Sequence, residues 1–123
     1  MIVGVGTDLV EVDRLRLALG RRSTLARRIF TAEEREYCDA QHDPAESYAA
    51  RFAAKEAVMK ALCVGLGDFE LRDVSVARAE SGAPSLVLTG KAEARAAERG
   101  VSSWMLSLSH TSTTAIAVVL ALG

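Results

Sequence analysis

The sequence predicts a single α+β domain. It begins with an apolar, strand-like segment, continues with a long alanine-rich helical pattern, and ends with two alternating apolar segments typical of a hairpin. A length of 123 residues suits one hydrophobic core and is too short for two. We therefore expect one domain over residues 1–123, without repeats or linkers.

The first third of the chain predicts one strand and two short helices. Residues 2–7 form the strand, whose glycines would let another chain or a ligand come close. Asp13 would cap a first helix that runs to about Leu19 and ends at Gly20. The segment 31–34 has capping-box spacing and would start a second helix.

The central helix has the clearest start. Asp43 is suited to the N-cap, Pro44 to the first helical position and Glu46 to the acidic third position. The helix should reach about Cys63 and be stopped by the glycines of the 65–67 loop. Four large side chains recur at helical spacing and are predicted to face the core: Tyr48, Phe52, Met59 and Leu62.

The remainder of the chain alternates between apolar and polar residues. The alternation predicts four strands, centred on residues 74–76, 86–88, 104–108 and 116–120. A turn at 81–84 would join the first two, and a turn at 110–113 would make a hairpin of the last two. Residues 91–99 predict a short polar helix that ends at Gly100.

The composition excludes several classes of protein. A net charge of −1 gives no overall attraction to nucleic acid or membrane. The start lacks a signal-peptide pattern, and the apolar run 115–122 is far shorter than the roughly 20 residues of a membrane span. Cys38 and Cys63 lack zinc-site spacing, so we expect reduced thiols in a cytoplasmic protein.

Asp8 and Glu56 form the most informative pair. Asp8 follows the first strand, and Glu56 lies between Lys55 and Lys60 on the central helix. Two carboxylates beside two ammonium groups suit a magnesium–phosphate site. Each residue also has a simpler interpretation, because Asp8 could cap a turn and Glu56 could form an exposed ion pair with Lys60.

Two further segments could contribute to such a site. The glycines Gly65 and Gly67 would let backbone amides approach a ligand, although a helix C-cap would explain them as well. Ser109, His110 and Thr111 place three hydrogen-bonding groups at a strand end, which suits a phosphate or an adenine edge. His110 could instead be a structural residue.

An arginine cluster stands out against the neutral overall charge. Six arginines and no acidic residue lie between residues 14 and 28. The cluster could be a solvated face, but like charges along one segment repel one another, and an acidic partner would relieve that repulsion. The neutral domain and its few aromatic residues argue against nucleic acid as that partner.

The chain resembles the holo-acyl-carrier-protein synthases, the short phosphopantetheinyl transferases. The matching segments occur in family order over nearly the whole chain: Gly4-Val5-Gly6-Thr7-Asp8 with Glu11 and Arg14, Phe30-Thr31 with Glu34, Arg51-Phe52-Ala53-Ala54-Lys55-Glu56-Ala57 with Lys60-Ala61, Gly65-Leu66-Gly67, Gly82 and Pro84, and Ser107-Leu108-Ser109-His110-Thr111. The RFAAKEA segment is the most specific of them. The resemblance implies an antiparallel sheet packed against a long central helix and a homotrimer with active sites between subunits.

The resemblance also implies an activity and a set of roles. The 4′-phosphopantetheine arm of coenzyme A would pass to a serine of apo acyl carrier protein, leaving adenosine 3′,5′-bisphosphate and supporting fatty acid biosynthesis. Asp8 and Glu56 would bind Mg²⁺, with Lys60 also in the catalytic set. The coenzyme A contacts would come from Arg51, Lys55, Lys60, Gly65, Gly67, Pro84, Ser109, His110 and Thr111. Arg14 and Arg21 would meet the acidic carrier protein.

Two departures and two alternatives accompany the resemblance. Cys63 and Val64 replace a glycine-containing pair, and the connection 41–46 lacks the lysine or arginine that some members place near coenzyme A. The first alternative is a non-catalytic, oligomeric module that binds coenzyme A or a nucleotide, which would not need both carboxylates. The second is the same transfer to a secondary-metabolism carrier. The general base and the choice between Mg²⁺ and Mn²⁺ stay open.

Overall fold

A computed structural model describes residues 1–123 as an α+β fold of five strands and five α-helices. A single 3₁₀ turn, Leu71–Asp73, precedes the second strand. The elements follow one another in the chain as β1 (Ile2–Glu11), α1 (Val12–Arg21), α2 (Leu25–Ile29), α3 (Ala32–Asp39), α4 (Pro44–Ala61), β2 (Val74–Arg78), β3 (Pro84–Leu88), α5 (Gly90–Glu98), β4 (Ser103–His110) and β5 (Thr114–Leu122). None of the helices is both long enough and apolar enough to cross a membrane.

The main sheet has three antiparallel strands in the order β1-β5-β4, and α4 packs against one of its faces. The β2-β3 hairpin forms a separate two-stranded sheet. Both predicted hairpins are therefore confirmed, as is the antiparallel sheet on a central helix. The main core lies between α4, the inner sheet face, the β2-β3 hairpin and α5.

Small residues let β1 and β5 lie very close to α4. A Cβ atom built on Gly6 would overlap the carbonyl oxygen of Ala57, and one on Gly4 would overlap that of Ala61. The strand β5 faces the same helix with four small or branched buried residues: Ala115, Ala117, Val119 and Ala121. The glycines predicted to allow a close approach thus allow the approach of the chain's own central helix.

Large apolar residues of the sheet lie on the opposite face. The residues Ile116 and Val118 of β5 are on this exposed outer face, because side chains alternate along a strand and the alanines take the inner positions. Their neighbours across the sheet include Leu9 of β1, which is also exposed. The predicted alternation along β5 is confirmed. The buried face of this strand carries the alanines and Val119, and the exposed face carries Ile116 and Val118.

Three capping predictions have different outcomes. The Thr31–Glu34 capping box is present, and the Asp43 side chain accepts a hydrogen bond from the Ala45 backbone N–H (3.3 Å) at the start of α4. Asp13 caps nothing, because α1 already begins at Val12 and continues from β1 without a break. The predicted strand over 2–7 was too short, because β1 continues to Glu11, the residue directly before α1.

Two helices end at other residues than predicted, and one short helix was not predicted. Gly20 lies inside α1, not at its end. The helix α4 ends at Ala61, and the residue that adopts a left-handed backbone there is Cys63, with φ of 56°. This conformation disfavours any residue with a Cβ by roughly 1–2 kcal/mol. The five-residue helix α2 was not predicted, since it is too short to show a period.

Lys55 is a structural residue, and its buried position argues against the predicted contact with coenzyme A. Its ammonium is fully buried and donates to Glu34 Oε1 (2.8 Å), to the Leu71 carbonyl oxygen (3.2 Å) and to the Val74 carbonyl oxygen. The other carboxylate oxygen of Glu34 accepts the Val76 backbone N–H (3.0 Å). The pair therefore joins α3, α4 and β2, and no donor of the Lys55 ammonium is left for a phosphate.

The close packing of β1 on α4 leads to a first prediction. Gly6→Ala should lower the free energy of unfolding by about 3 kcal/mol or more, because the added methyl group must push against helix backbone rather than a movable side chain. Urea unfolding followed by circular dichroism measures the change.

Gly20→Ala is the matched control. It sits in a helix with open space around the added Cβ, so it should stabilise the protein slightly, by up to about 1 kcal/mol. Equal stabilities of the two variants would contradict the close packing.

Candidate active site

Asp8, Glu56 and Lys60 come together where β1 crosses α4. Asp8 lies on the inner face of β1, two residues beyond Gly6, and its side chain is only 17% exposed. The Lys60 ammonium donates to Asp8 Oδ1 (3.1 Å) and to the Thr7 carbonyl oxygen (2.9 Å). The predicted association of these three residues is thus present in the folded chain, although its role stays a prediction.

Glu56 has a different electrostatic environment from Asp8. It is half-buried and has no ion-pair or hydrogen-bond partner, whereas Asp8 is paired with Lys60. Burial and, secondly, the nearby Asp8 carboxylate raise the pKa of Glu56, while Lys60 acts in the opposite direction. A cation between the two carboxylates would relieve both unfavourable effects.

The carboxylate pair lines an open cleft of about 440 Å³. Arg14 of α1 lines the same cleft, as do Phe52 of α4 and Glu11 at the end of β1. The site thus joins a negative centre to a cationic side chain from the arginine cluster. Arg21 is exposed at the far end of α1 and does not line the cleft.

A second, smaller pocket of about 190 Å³ holds other residues of the predicted site. It is lined by Arg51, Pro84 and His110 among the predicted residues, and also by Tyr37 and Arg78. None of these residues lines the carboxylate cleft. Within one chain, these three predicted coenzyme A residues therefore lie in a different pocket from the predicted metal ligands Asp8 and Glu56.

The three residues at the end of β4 do not converge. Ser109 lies on the outer sheet face opposite Ile116, and His110 lies on the inner face, because adjacent strand residues point to opposite sides. His110 Nδ1–H donates to Glu46 Oε1 (3.0 Å), a tautomer that follows from the carboxylate's inability to donate. Thr111 Oγ1 accepts two backbone N–H groups of the β4-β5 turn. The expected convergence was wrong.

The glycine loop stands apart from both pockets. Gly67 has φ of 98°, a left-handed backbone that favours glycine, and a Cβ placed on it or on Gly65 would have no neighbouring atom within 4 Å. The Gly65 backbone N–H donates to Asp68 Oδ2 (2.9 Å), a contact within the loop. Neither glycine lines either pocket.

The oxygen donors of the cleft fit a magnesium ion that is bound by two carboxylates. The protein has no cluster of three or more histidine, cysteine or acidic side chains that could hold a metal without other ligands. Asp8 and Glu56 supply two hard oxygen donors, and Mg²⁺ commonly takes one or two carboxylates with substrate phosphates and water. The unpartnered, half-buried carboxylate of Glu56 is the observation that favours a cation here.

Sequence reasoning missed Tyr37, Arg78 and the structural role of Glu34. Tyr37 and Arg78 are 41 residues apart in the chain and meet through a hydrogen bond, so no local pattern could connect them. The Glu34–Lys55 pair did have a clue. Lys55 lies three residues after Phe52 and four before Met59, so it falls on the helix stripe that the sequence predicts to face the core.

Comparison with known proteins agrees with this architecture. The 4′-phosphopantetheinyl transferase superfamily matches residues 4–119. A holo-acyl-carrier-protein synthase of Streptomyces avermitilis is 48% identical over 122 residues, which cover 99% of this chain and 98% of the relative.

Solved structures are similar over the whole chain as well. The synthase of Neisseria meningitidis aligns with a TM-score of 0.90 and 32% identity, covering 100% of both chains. A synthase of Bacillus anthracis in complex with CoA (3′,5′-ADP) aligns with a TM-score of 0.80 and 32% identity, covering 100% of this chain and 99% of that one. The chain therefore belongs to the holo-acyl-carrier-protein synthases of the 4′-phosphopantetheinyl transferase superfamily.

Proposed function

We propose that the protein transfers 4′-phosphopantetheine from coenzyme A to a serine of an apo acyl carrier protein and thereby supports fatty acid biosynthesis. The observation that carries this proposal is the pairing of Asp8 with Glu56 beside Lys60, in a chain of this family. A module that merely binds a nucleotide would have no use for an unpartnered carboxylate held next to another one. We further propose a cytoplasmic location, consistent with the two free cysteines.

Asp8 and Glu56 would hold Mg²⁺ in the cleft. When bound, the ion would offset the charge of the coenzyme A pyrophosphate and of the leaving phosphate. Lys60 is placed to take part, because a cation at Asp8 would compete for the carboxylate that the ammonium now contacts at 3.1 Å. The lysine would then be free to contact a phosphate oxygen.

The bond changes fix what the residues must do. The carrier serine oxygen forms a bond to the β-phosphorus, the bridging P–O bond breaks, and adenosine 3′,5′-bisphosphate leaves. The serine proton must pass to a base. Glu56 is the carboxylate of the pair without a lysine partner, so it is our candidate to accept that proton directly or through a water.

Arg14 would orient the carrier protein at the cleft. It lines the same cavity as the carboxylates, which lets it contact an acidic partner whose serine enters there. Arg16 of the same cluster is not available, because its guanidinium binds both carboxylate oxygens of Asp43 (2.8 and 2.9 Å). We assign Arg21, which is exposed beyond Arg14 on α1, to the same partner surface.

We also propose a homotrimer with composite active sites. The outer sheet face exposes Val5, Leu9, Met105, Ile116 and Val118, a set of large apolar residues that water would cover in a single chain. Three predicted coenzyme A residues line one pocket and the two predicted metal ligands line the other, so a neighbouring chain would have to bring the two sets together. Coverage of the outer face by other copies would satisfy both observations.

The experiment that tests the function is intact-mass spectrometry of an apo acyl carrier protein incubated with this protein and coenzyme A. We expect one phosphopantetheine mass on the carrier serine with Mg²⁺ and none after chelation. Binding of coenzyme A without any mass gain, across several carriers, would favour the non-catalytic module instead.

Glu56→Gln tests the carboxylate pair. It should keep the fold and lower the transfer rate by about two orders of magnitude or more, roughly 3 kcal/mol. It should also abolish any rise in melting temperature caused by Mg²⁺, because the amide is a poorer ligand. Glu93→Gln, an exposed change on α5, is the control. Near-native transfer by folded Glu56→Gln would remove Glu56 from the site.

Arg14→Glu tests the partner surface. The reversed charge should raise the KM for the carrier at least tenfold and leave coenzyme A binding unchanged, and the effect should shrink at high salt. Steady-state kinetics with each substrate varied in turn measures this, with Lys91→Glu on α5 as control. A change confined to coenzyme A binding would instead assign Arg14 to the nucleotide.

Val118→Asp tests the assembly. Val118 is in the middle of the central strand of the outer face, so a buried charge there should prevent association. Sedimentation equilibrium should give the mass of three chains for the wild type and of one chain for the variant. A wild-type monomer at micromolar concentration would contradict the trimer.

A further inference from the structure

The β2-β3 hairpin has few hydrogen bonds to the rest of the chain. It forms a two-stranded sheet of its own, and no backbone hydrogen bond joins residues 74–88 to the main sheet or to a helix. Side chains make three such bonds. One is an exposed contact between Arg78 and Tyr37, and the other two are buried and come from Lys55 and Glu34. The buried ion pair is therefore the main polar connection between the hairpin and the helices.

The two buried bonds lie on the free edge of β2. This strand has β3 as its single neighbour, and alternate residues of a strand direct their backbone groups to opposite edges. The Asp73 carbonyl oxygen accepts a backbone N–H on the β3 side, so Val74 and Val76 face the other edge. There the Lys55 ammonium donates to the Val74 carbonyl oxygen, and the Val76 backbone N–H donates to Glu34 Oε2 (3.0 Å). The ion pair thus takes the place of a neighbouring strand.

Water has no access to this pair. Both side chains are fully buried, and the ring of Phe30 lies 5.4 Å from the Lys55 ammonium. All three ammonium donors have acceptors, and Glu34 Oε1 also accepts the backbone N–H of Thr31 at the start of α3 (3.0 Å). A shift of β2 along the helices would leave a backbone group or a charge buried without a partner. The pair therefore holds the hairpin in one position.

The position of the hairpin matters for the predicted coenzyme A residues. Pro84 is the first residue of β3, and it lines a pocket together with Arg51 of α4. Lys55 follows Arg51 by one helical turn, so the ion pair joins the hairpin to the same stripe of the helix. The distance between these two walls of the pocket is thus set one turn away from the pocket itself.

We propose that Glu34 and Lys55 are positioning residues for coenzyme A: they replace the missing neighbour of β2 and thereby set how tightly the substrate binds, without touching it. This inference rests on the proposed function, which supplies the substrate. Neither residue lines the carboxylate cleft. The pair should therefore affect the binding of coenzyme A and not the binding of the carrier.

Glu34→Gln tests the positioning role by kinetics. The amide keeps the length of the side chain but has one acceptor oxygen, so it cannot serve Lys55 and the Val76 backbone at once. The KM for coenzyme A should rise about tenfold, the equivalent of one buried hydrogen bond. The KM for the carrier and kcat at saturating coenzyme A should stay unchanged. A purely structural role would instead lower kcat through loss of folded protein and leave both KM values unchanged.

Hydrogen exchange gives a readout that does not depend on activity. The Val76 amide should exchange slowly in the wild type, because it is buried and bonded to Glu34. In Glu34→Gln, the amides of residues 74–88 should exchange at least about tenfold faster, while those of β5 keep their protection. Equal exchange of the hairpin in both proteins would overturn the role of the pair at the β2 edge.

Two further variants separate position from stability. Glu34→Asp keeps the charge but shortens the side chain, so it should fold and raise the KM for coenzyme A by a smaller factor. Ala92→Gly weakens the buried side of α5 and lies outside both pockets. This control should lower the melting temperature and leave the KM for coenzyme A unchanged. A rise in that KM for Ala92→Gly as large as for Glu34→Gln would overturn the proposal.

The positioning role and the proposed function fail in different ways. Transfer by the wild type, with an unchanged KM for coenzyme A in both Glu34 variants, would overturn the positioning role and leave the function standing. If the wild type transfers nothing to any carrier, the function fails, and calorimetry with coenzyme A still tests the pair. Weaker binding by Glu34→Gln would then support the positioning role, and equal binding would overturn it.

Discussion

The close approach of β1 to α4 is the constraint on which the site depends. Gly4 and Gly6 have no side chains to hold the helix away, and Ala57 and Ala61 present only a methyl group and a carbonyl oxygen in return. Asp8 is the next residue on the same side of the strand. It must therefore also lie against the surface of α4. The carboxylate pair is thus a geometric consequence of two glycines, and any side chain in their place would separate Asp8 from Glu56.

The helix α4 contributes charged residues to both pockets, because these residues lie on two different stripes of its surface. Residues four apart share a face, so Arg51 and Lys55 lie on the buried stripe, while Glu56 and Lys60 lie on the one that borders the cleft. Lys55 anchors α3 and β2 through Glu34, which fixes the hairpin that carries Arg78. One helix thereby sets the distance between both pockets.

Much of the fold follows from local patterns, and the misses have physical reasons. Alternation located all four later strands, and the cap residues Thr31 and Asp43 located two helices, since these patterns depend on nearby residues. Lys55 was misassigned because it is adjacent to Glu56 in sequence, whereas consecutive helical residues point about 100° apart. The meeting of Tyr37 with Arg78 depends on how α3 packs against β2, which no short segment encodes.

Arg51 and Glu56, two charged residues of α4 that have no ion-pair partner, are of opposite sign and still cannot neutralise each other. Arg51 and Glu56 are five residues apart, which places them about 140° apart around the helix axis. Each therefore faces its own pocket, and each raises the free energy of the ligand-free chain, since burial disfavours an unpaired charge. A magnesium–nucleotide complex carries a cation for the carboxylate and a phosphate for the arginine. The unfavourable charges of the free chain are thus the ones such a ligand would satisfy, which couples binding to the stability of the helix that holds both.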